Sequence, residues 1–124
     1  MVKQINSTLS EEQKAVLLKG NTEPPFSGKF YLSKDKGAYI CANCGNKLFN
    51  SDVKFDSGCG WPSFFEPYSD KSVSLTEDKS LSMSRTEVTC QKCGAHLGHV
   101  FDDAPHAPTG KRYCINSLSL DIKK

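Results

Sequence analysis

The sequence predicts a mainly β domain, two antiparallel sheets with one short helix at the N-terminus, on three observations. Short apolar runs broken by Gly, Pro and Asn fill most of the chain. A single helix signature with both a start and a stop stands near the N-terminus. A Cys-x-x-Cys-Gly unit occurs twice, at Cys41–Gly45 and at Cys90–Gly94, and reads as two halves of a four-cysteine zinc site. The 124 residues make one domain over 1–124, with a helical segment in 1–21 and the β core in 22–122. An apolar share of 37% is modest, so a staple would help so loop-rich a chain.

Ser10-Glu-Glu-Gln13 has the spacing of a capping box, and Lys19-Gly20 supplies the stop. The helix is expected over Glu11–Lys19. Asn21–Gly28, with Pro24-Pro25, reads as an irregular connector. Strands are expected at Phe30–Leu32, Ala38–Cys41, Lys47–Phe49, Val73–Thr76, Met83–Cys90, His96–Phe101 and Tyr113–Ile122. Asp56–Pro67, rich in Gly, Pro and aromatics, reads as an ordered loop, and Asp102–Gly110 as turns.

Charge narrows the function. The 16 basic and 14 acidic residues are interspersed, for a net +2, which argues against nucleic acid or an anionic membrane as partner. Ala15–Leu18, the longest apolar run near the N-terminus, is too short for a signal peptide core or a membrane span. A soluble cytoplasmic protein is expected, and there six cysteines read as metal ligands or redox groups rather than as a disulfide framework. A secreted disulfide domain is one rival reading. A zinc-ribbon binding module is another, and it leaves two cysteines and a histidine pair unexplained.

Cys41, Cys44, Cys90 and Cys93 would close a tetrahedron, with zinc ahead of iron. The long gap between the two knuckles means that the metal would join two halves of the domain. Cys59 and Cys114 are left over. Along an extended chain Arg112, Cys114, Asn116, Leu118, Leu120 and Ile122 share a face, so a guanidinium would sit beside a thiol and lower its pKa. Cys114 as a small buried hydrophobe is the plain alternative. His99 and Phe101 would share a face with His96 opposite, unless a bulge at Gly98 brings both rings together; an imidazole there is a proton donor near neutral pH. His106 reads as exposed. Cys59 stands between Gly58 and Gly60, on the mobile backbone that a resolving thiol needs. Trp61, the only tryptophan, would by default fill the core.

Thr22-Glu-Pro-Pro-Phe-Ser-Gly28, Ser57-Gly-Cys-Gly-Trp-Pro-Ser-Phe64, Arg85-x-Glu-Val88, His96-Leu-Gly-His-Val-Phe101 and Pro108-Thr-Gly-x-Arg-Tyr-Cys-Ile-Asn116, in order with both knuckles, resemble the B-type methionine sulfoxide reductases, the methionine-R-sulfoxide reductases. The resemblance covers about Thr22 to Leu120. It implies that Cys114 is the catalytic cysteine and Cys59 the resolving one, recycled by thioredoxin. It implies that the four knuckle cysteines bind one structural zinc, that Trp61 contacts the substrate methyl group, and that His96, His99 and Asn116 handle the sulfoxide oxygen. Phe101 and Arg112 are expected to line the substrate site. The implied substrates are oxidised proteins or peptides, and the expected state is a monomer without nucleic-acid or membrane partners. The segment Asp102-Asp-Ala-Pro-His106 departs from the family, which usually has Gly before the Pro.

Overall fold

The computed structural model describes residues 5–78 and 85–124. It opens with α1 (Glu11–Lys19). Ser10 accepts a hydrogen bond from the Gln13 amide while the Gln13 side chain accepts from the Ser10 amide, and Gly20 takes the left-handed conformation at the other end. Only Val16 and Leu17 of the helix are buried, so a short, well-capped helix lays one edge on the β core.

Nine strands follow among the described residues: β1 (Ala38–Cys41), β2 (Lys47–Asn50), β3 (Lys54–Phe55), β4 (Ser63–Phe64), β5 (Val73–Asp78), β6 (Arg85–Cys90), β7 (His96–Phe101), β8 (Arg112–Ile115) and β9 (Leu120–Lys123). They form two sheets, β2-β1-β9 and β3-β4-β8-β7-β6-β5, and every pairing is antiparallel. Aromatic side chains from both sheets meet in the core. Phe49 of the small sheet stacks on Phe64 of the large one with centroids 4.4 Å apart, and Tyr39 meets Phe64 edge-on at 5.2 Å. All three are fully buried, so this contact joins the layers and carries much of their apolar burial.

Three expectations need correction. Phe30–Leu32 is not a strand. Tyr31 and Ser33 donate to the carbonyls of Gly28 and Phe30, closing successive turns; Phe30 turns inward while Leu32 is 73% exposed. Tyr113–Ile122 is two strands, one in each sheet. Between them Ser119 N–H donates to Asn116 O across a 3-10 turn at Ser117–Ser119. The buried Ser117 and Ser119 hydroxyls explain the break. Ser117 Oγ accepts from Phe30 N–H and Ser119 Oγ donates to His96 O, bonds that a continuous strand would forgo. Leu118, Leu120 and Ile122 therefore do not share a face with Cys114. Finally, the stretch Asp56–Pro67 contains a two-residue strand, β4, which pairs Ser63 with Cys114 and Phe64 with Tyr113. Met83 and Ser84 of the expected Met83–Cys90 strand lie outside the described residues; Arg85–Cys90 is β6.

Candidate active site and metal centre

The two knuckles are built alike. Cys41 ends β1 and Cys90 ends β6. In each, the Gly after the second Cys donates its N–H to the carbonyl of the first at 2.8 Å, with φ of 80° at Gly45 and 83° at Gly94. A side chain at either position would be strained. The knuckles turn between β1 and β2 of the small sheet and between β6 and β7 of the large one, so the cluster bridges the layers. The four sulfurs lie within 4.8 Å of one another. Cys41 Sγ is 3.8 Å from Cys93 Sγ, and Cys44 Sγ is 3.6 Å from Cys90 Sγ. Tetrahedral Zn–S bonds of about 2.3 Å set sulfurs about 3.8 Å apart, so the donor set and its spacing fit a tetrahedral metal. Without a cation, packed thiols cannot all ionise: the Cys41 hydrogen bond holds Cys90 down to about 5 while the same contact and burial push Cys41 up.

The other two cysteines meet at the far end of β8. The register of the large sheet sets Cys114 between Ser63 of β4 and His99 of β7. Cys59, from the turn before β4, brings its Sγ to 2.9 Å from Cys114 Sγ. That is inside non-bonded contact and longer than the ~2.05 Å of a disulfide. Ser63 Oγ stands 3.3 Å from Cys59 Sγ and 3.9 Å from Cys114 Sγ. Arg112 Nη1 donates to Cys114 Sγ at 2.6 Å. The guanidinium is itself held by Asp103 through two bonds of 2.9 and 2.8 Å and rests 4.5 Å above the Phe101 ring. Asp103 and Arg112 perturb each other, the carboxyl down and the guanidinium up.

The short contact pulls the two thiols' pKa values apart. The Cys114 hydrogen bond, helped by Ser57 and Ser63, holds Cys59 down to about 4 against the upward pull of burial. The same contact and burial push Cys114 well above its ordinary value, with Arg112 pulling the other way. The sequence expectation is therefore met only in the sense of Arg112's effect. The pair loses its first proton easily and its second with difficulty, and Arg112 is the cation that would hold the charge on Cys114 once Cys59 moves away.

Both histidines come from β7. Its register with β6 slips between Val88 and Thr89, so that Val88 faces Gly98 but Thr89 faces His96. This bulge sets the His96 and His99 rings 5.5 Å apart, as the Gly98 alternative anticipated. A Cβ on Gly98 would strike the Cys114 carbonyl oxygen, so glycine also lets β7 and β8 approach. His99 Nε2 bonds Asp78 Oδ2 at 2.8 Å and His96 Nδ1 bonds Glu87 Oε2 at 2.7 Å. Burial lowers the His99 pKa, with Asp78 opposing.

A cleft of about 230 Å³ opens onto Cys114 and Cys59, lined also by Trp61, His99, Phe101 and Arg112. Asn116 lines it too, but its side chain is occupied: Oδ1 accepts from Glu23 N–H and Nδ2 donates to Leu97 O, both at 3.0 Å. His96 is buried and is not among the residues that line the cleft. Trp61 is half-buried and donates from Nε1 to Glu23 O at 3.0 Å, so it is a wall rather than core filling. His106 is exposed. Sequence reasoning missed Ser63, Asp103, Asp78 and Glu87. Ser63 and Glu87 lay inside quoted motifs, and Asp103 was visible as an acid near Arg112, but only strand pairing reveals what each faces.

Among known proteins, the SelR domain family matches residues 9–124. The chain is 59% identical over 115 residues to the peptide methionine sulfoxide reductase MsrB of Methanosarcina barkeri, covering 93% of this chain and 80% of that protein. It is 57% identical over 118 residues to the Methanosarcina mazei protein of the same name (95% and 84%). With that of Leptospira interrogans the identity is 53% over 116 residues (94% and 88%). A close pair of cysteines and a four-cysteine cluster are thus set in a sequence matched almost end to end: the chain belongs to the SelR domain family.

Proposed function

We propose that this chain, as one domain, reduces methionine-R-sulfoxide, free or in proteins, to methionine, and so repairs oxidative damage. The observation that carries the reading is Cys114 in a cleft with a second thiol at 2.9 Å and a guanidinium at 2.6 Å. The Cys114 thiolate attacks the sulfoxide sulfur. The sulfur–oxygen bond breaks, the substrate sulfur gains two electrons, and one proton is taken up as the oxygen passes to Cys114 as a sulfenic acid. His99 is the acid, since it lines the cleft and lies opposite Cys114 in the register. Its Nε2 is committed to Asp78, which leaves Nδ1 for the transferred proton. His96 and Asn116 order the surroundings. Trp61 and Phe101 receive the methyl group and exclude water.

Cys59 then attacks the Cys114 sulfenic acid, forming a Cys59–Cys114 disulfide and releasing water. An external dithiol, of the thioredoxin kind, reopens the disulfide and leaves as its own disulfide. A second cleft of about 530 Å³, with Phe55, Phe65, Pro105 and Pro108 in its walls, also reaches Cys59 and does not include Cys114. The resolving sulfur is thus approachable from a side that the substrate does not use. Cys41, Cys44, Cys90 and Cys93 would hold one zinc ion, which when bound neutralises the thiolates and fixes one sheet to the other. No helix among the described residues is long and apolar enough to cross a membrane. We place the enzyme in the cytoplasm as a monomer.

The decisive experiment supplies dithiothreitol and separate R and S epimers of N-blocked methionine sulfoxide, and measures methionine. Turnover of the R epimer alone is the expected result. Turnover of neither by folded, zinc-loaded protein refutes the reading.

A further inference from the structure

Residues 22–28 carry a conspicuous sequence motif, yet no step above uses one of their side chains. Glu23 is the exception to their surface character, at 3% exposure. Its main chain holds two walls of the substrate cleft at once. The carbonyl accepts from Trp61 Nε1 at 3.0 Å, and the amide donates to Asn116 Oδ1 at 3.0 Å. Its carboxylate runs the other way, where Oε1 accepts from Leu118 N–H at 2.9 Å in the turn after β8. Burial raises the Glu23 pKa, while the Leu118 and Ser117 amides and the Ser117 hydroxyl draw it down. Gly28 closes the assembly from behind, because a Cβ there would strike both Ser117 Oγ and Glu23 Oε2.

We propose that Glu23 is a positioning residue of the substrate cleft, whose buried carboxylate pins residues 22–28 to the Ser117–Ser119 turn so that its own main chain fixes Trp61 and Asn116. The role rests on the reductase reading for its kinetic consequence, but not for its structural one. A carboxylate so far from water is costly unless it is paired; Oε1 is paired with Leu118 N–H, in the segment that follows the reactive cysteine, while the buried Oε2 has no hydrogen-bond partner among the described residues. Strand β8 and the Trp61 loop are thereby indexed to each other through a third segment.

Trp61 is the only tryptophan in the chain, so tryptophan emission reports the surroundings of this one ring. In Glu23→Ala we expect a red-shifted, more quenchable Trp61 emission and KM for the R-sulfoxide raised about tenfold, with kcat within about twofold, as for loss of an interaction that binds substrate and transition state alike. Glu23→Gln keeps an acceptor for Leu118 N–H and should restore most of both readouts. The far-UV circular dichroism spectrum should stay near wild type, which a general loss of fold would not allow. Unchanged emission and KM in folded Glu23→Ala overturn the proposal, as does a lowered melting temperature with both unchanged. If Glu23→Ala does not fold, Gly28→Ala carries the test: the same red shift and KM rise support the role, and wild-type values overturn it. A wild-type enzyme inactive on both epimers sinks the reductase reading instead, and the emission shift still decides whether Glu23 holds Trp61.

Discussion

Six cysteines form two groups whose surroundings differ. At the four-cysteine cluster the sulfurs sit on hydrogen-bonded knuckles at the ends of paired strands, 3.6 Å apart for Cys44 and Cys90 and 3.8 Å for Cys41 and Cys93. At the cleft one sulfur sits on a strand and the other on a Gly-flanked turn, and they approach to 2.9 Å. The knuckle sulfurs meet one another and the neutral Asn46 amide, whereas a guanidinium, that of Arg112, reaches Cys114. Residue type alone therefore decides little. Four thiols gathered within 4.8 Å of one another suit a metal, and one short distance with a guanidinium suits redox chemistry.

The contrast breaks most visibly at the cluster. Cys41→Ser should strip zinc and lower the melting temperature by more than about 10 °C, because a structural zinc supplies on the order of 10 kcal/mol of folding free energy in small metal-dependent domains. Retained metal with an unchanged melting curve would refute the staple. Cys114→Ser is the converse: zinc content and melting temperature stay near wild type while single-turnover methionine formation disappears. Any residual single turnover would point to another nucleophile.

Cys59→Ser divides the cleft pair. It should form about one equivalent of methionine per chain, since the resolving step follows release of product, and then stop with thioredoxin as reductant. Equal loss in the single-turnover and the recycling assays would end the division of roles. In Cys59→Ala, where the second sulfur is gone, the Cys114 titration followed by alkylation should move down from its wild-type position. In that same Cys59→Ala background, Arg112→Leu should slow Cys114 alkylation at pH 7 by about tenfold through the lost thiolate fraction, and an unchanged rate would assign the guanidinium to packing alone.

The smallest effect is that of pH on His99. Burial lowers its pKa below the ordinary 6.5, so the unfolded chain takes up the proton first. The contribution is present above pH 6.5 and is lost as pH falls through the folded value. Wild-type stability should therefore decline below about pH 6.5 more steeply than that of His99→Asn, by chemical denaturation at each pH. Parallel profiles would assign the acid sensitivity elsewhere.

Local signals were legible in the sequence. The α1 bounds and cap, the knuckles, β1 and β7 needed only neighbours in the chain. A bulge in β7 is legible as an alternative because a glycine stands between the two histidines, although the residue left unpaired is Leu97, next to Gly98. What could not be read was pairing at a distance. Ser63 opposite Cys114, the turn that divides β8 from β9, and Glu23 behind Trp61 depend on segments far apart in sequence. Phe30–Leu32 had strand composition, but a single inward ring was enough to serve the core. The family resemblance named Asn116 as a handler of oxygen; the fold first uses its amide to tie Glu23 to Leu97.

The placement of β9 has a consequence for biosynthesis. Strand β1 is the centre of its sheet, with β2 made directly after it and β9 only when residue 123 has been added. Until then one edge of β1 has no partner in its own sheet, on a chain emerging from the ribosome. Because Cys41 ends that strand, metal capture before β9 docks would tether the unfinished sheet to the β6–β7 hairpin. The order in which metal and β9 arrive thus sets which contact first joins the two sheets, while the finished strand order is the same by either route.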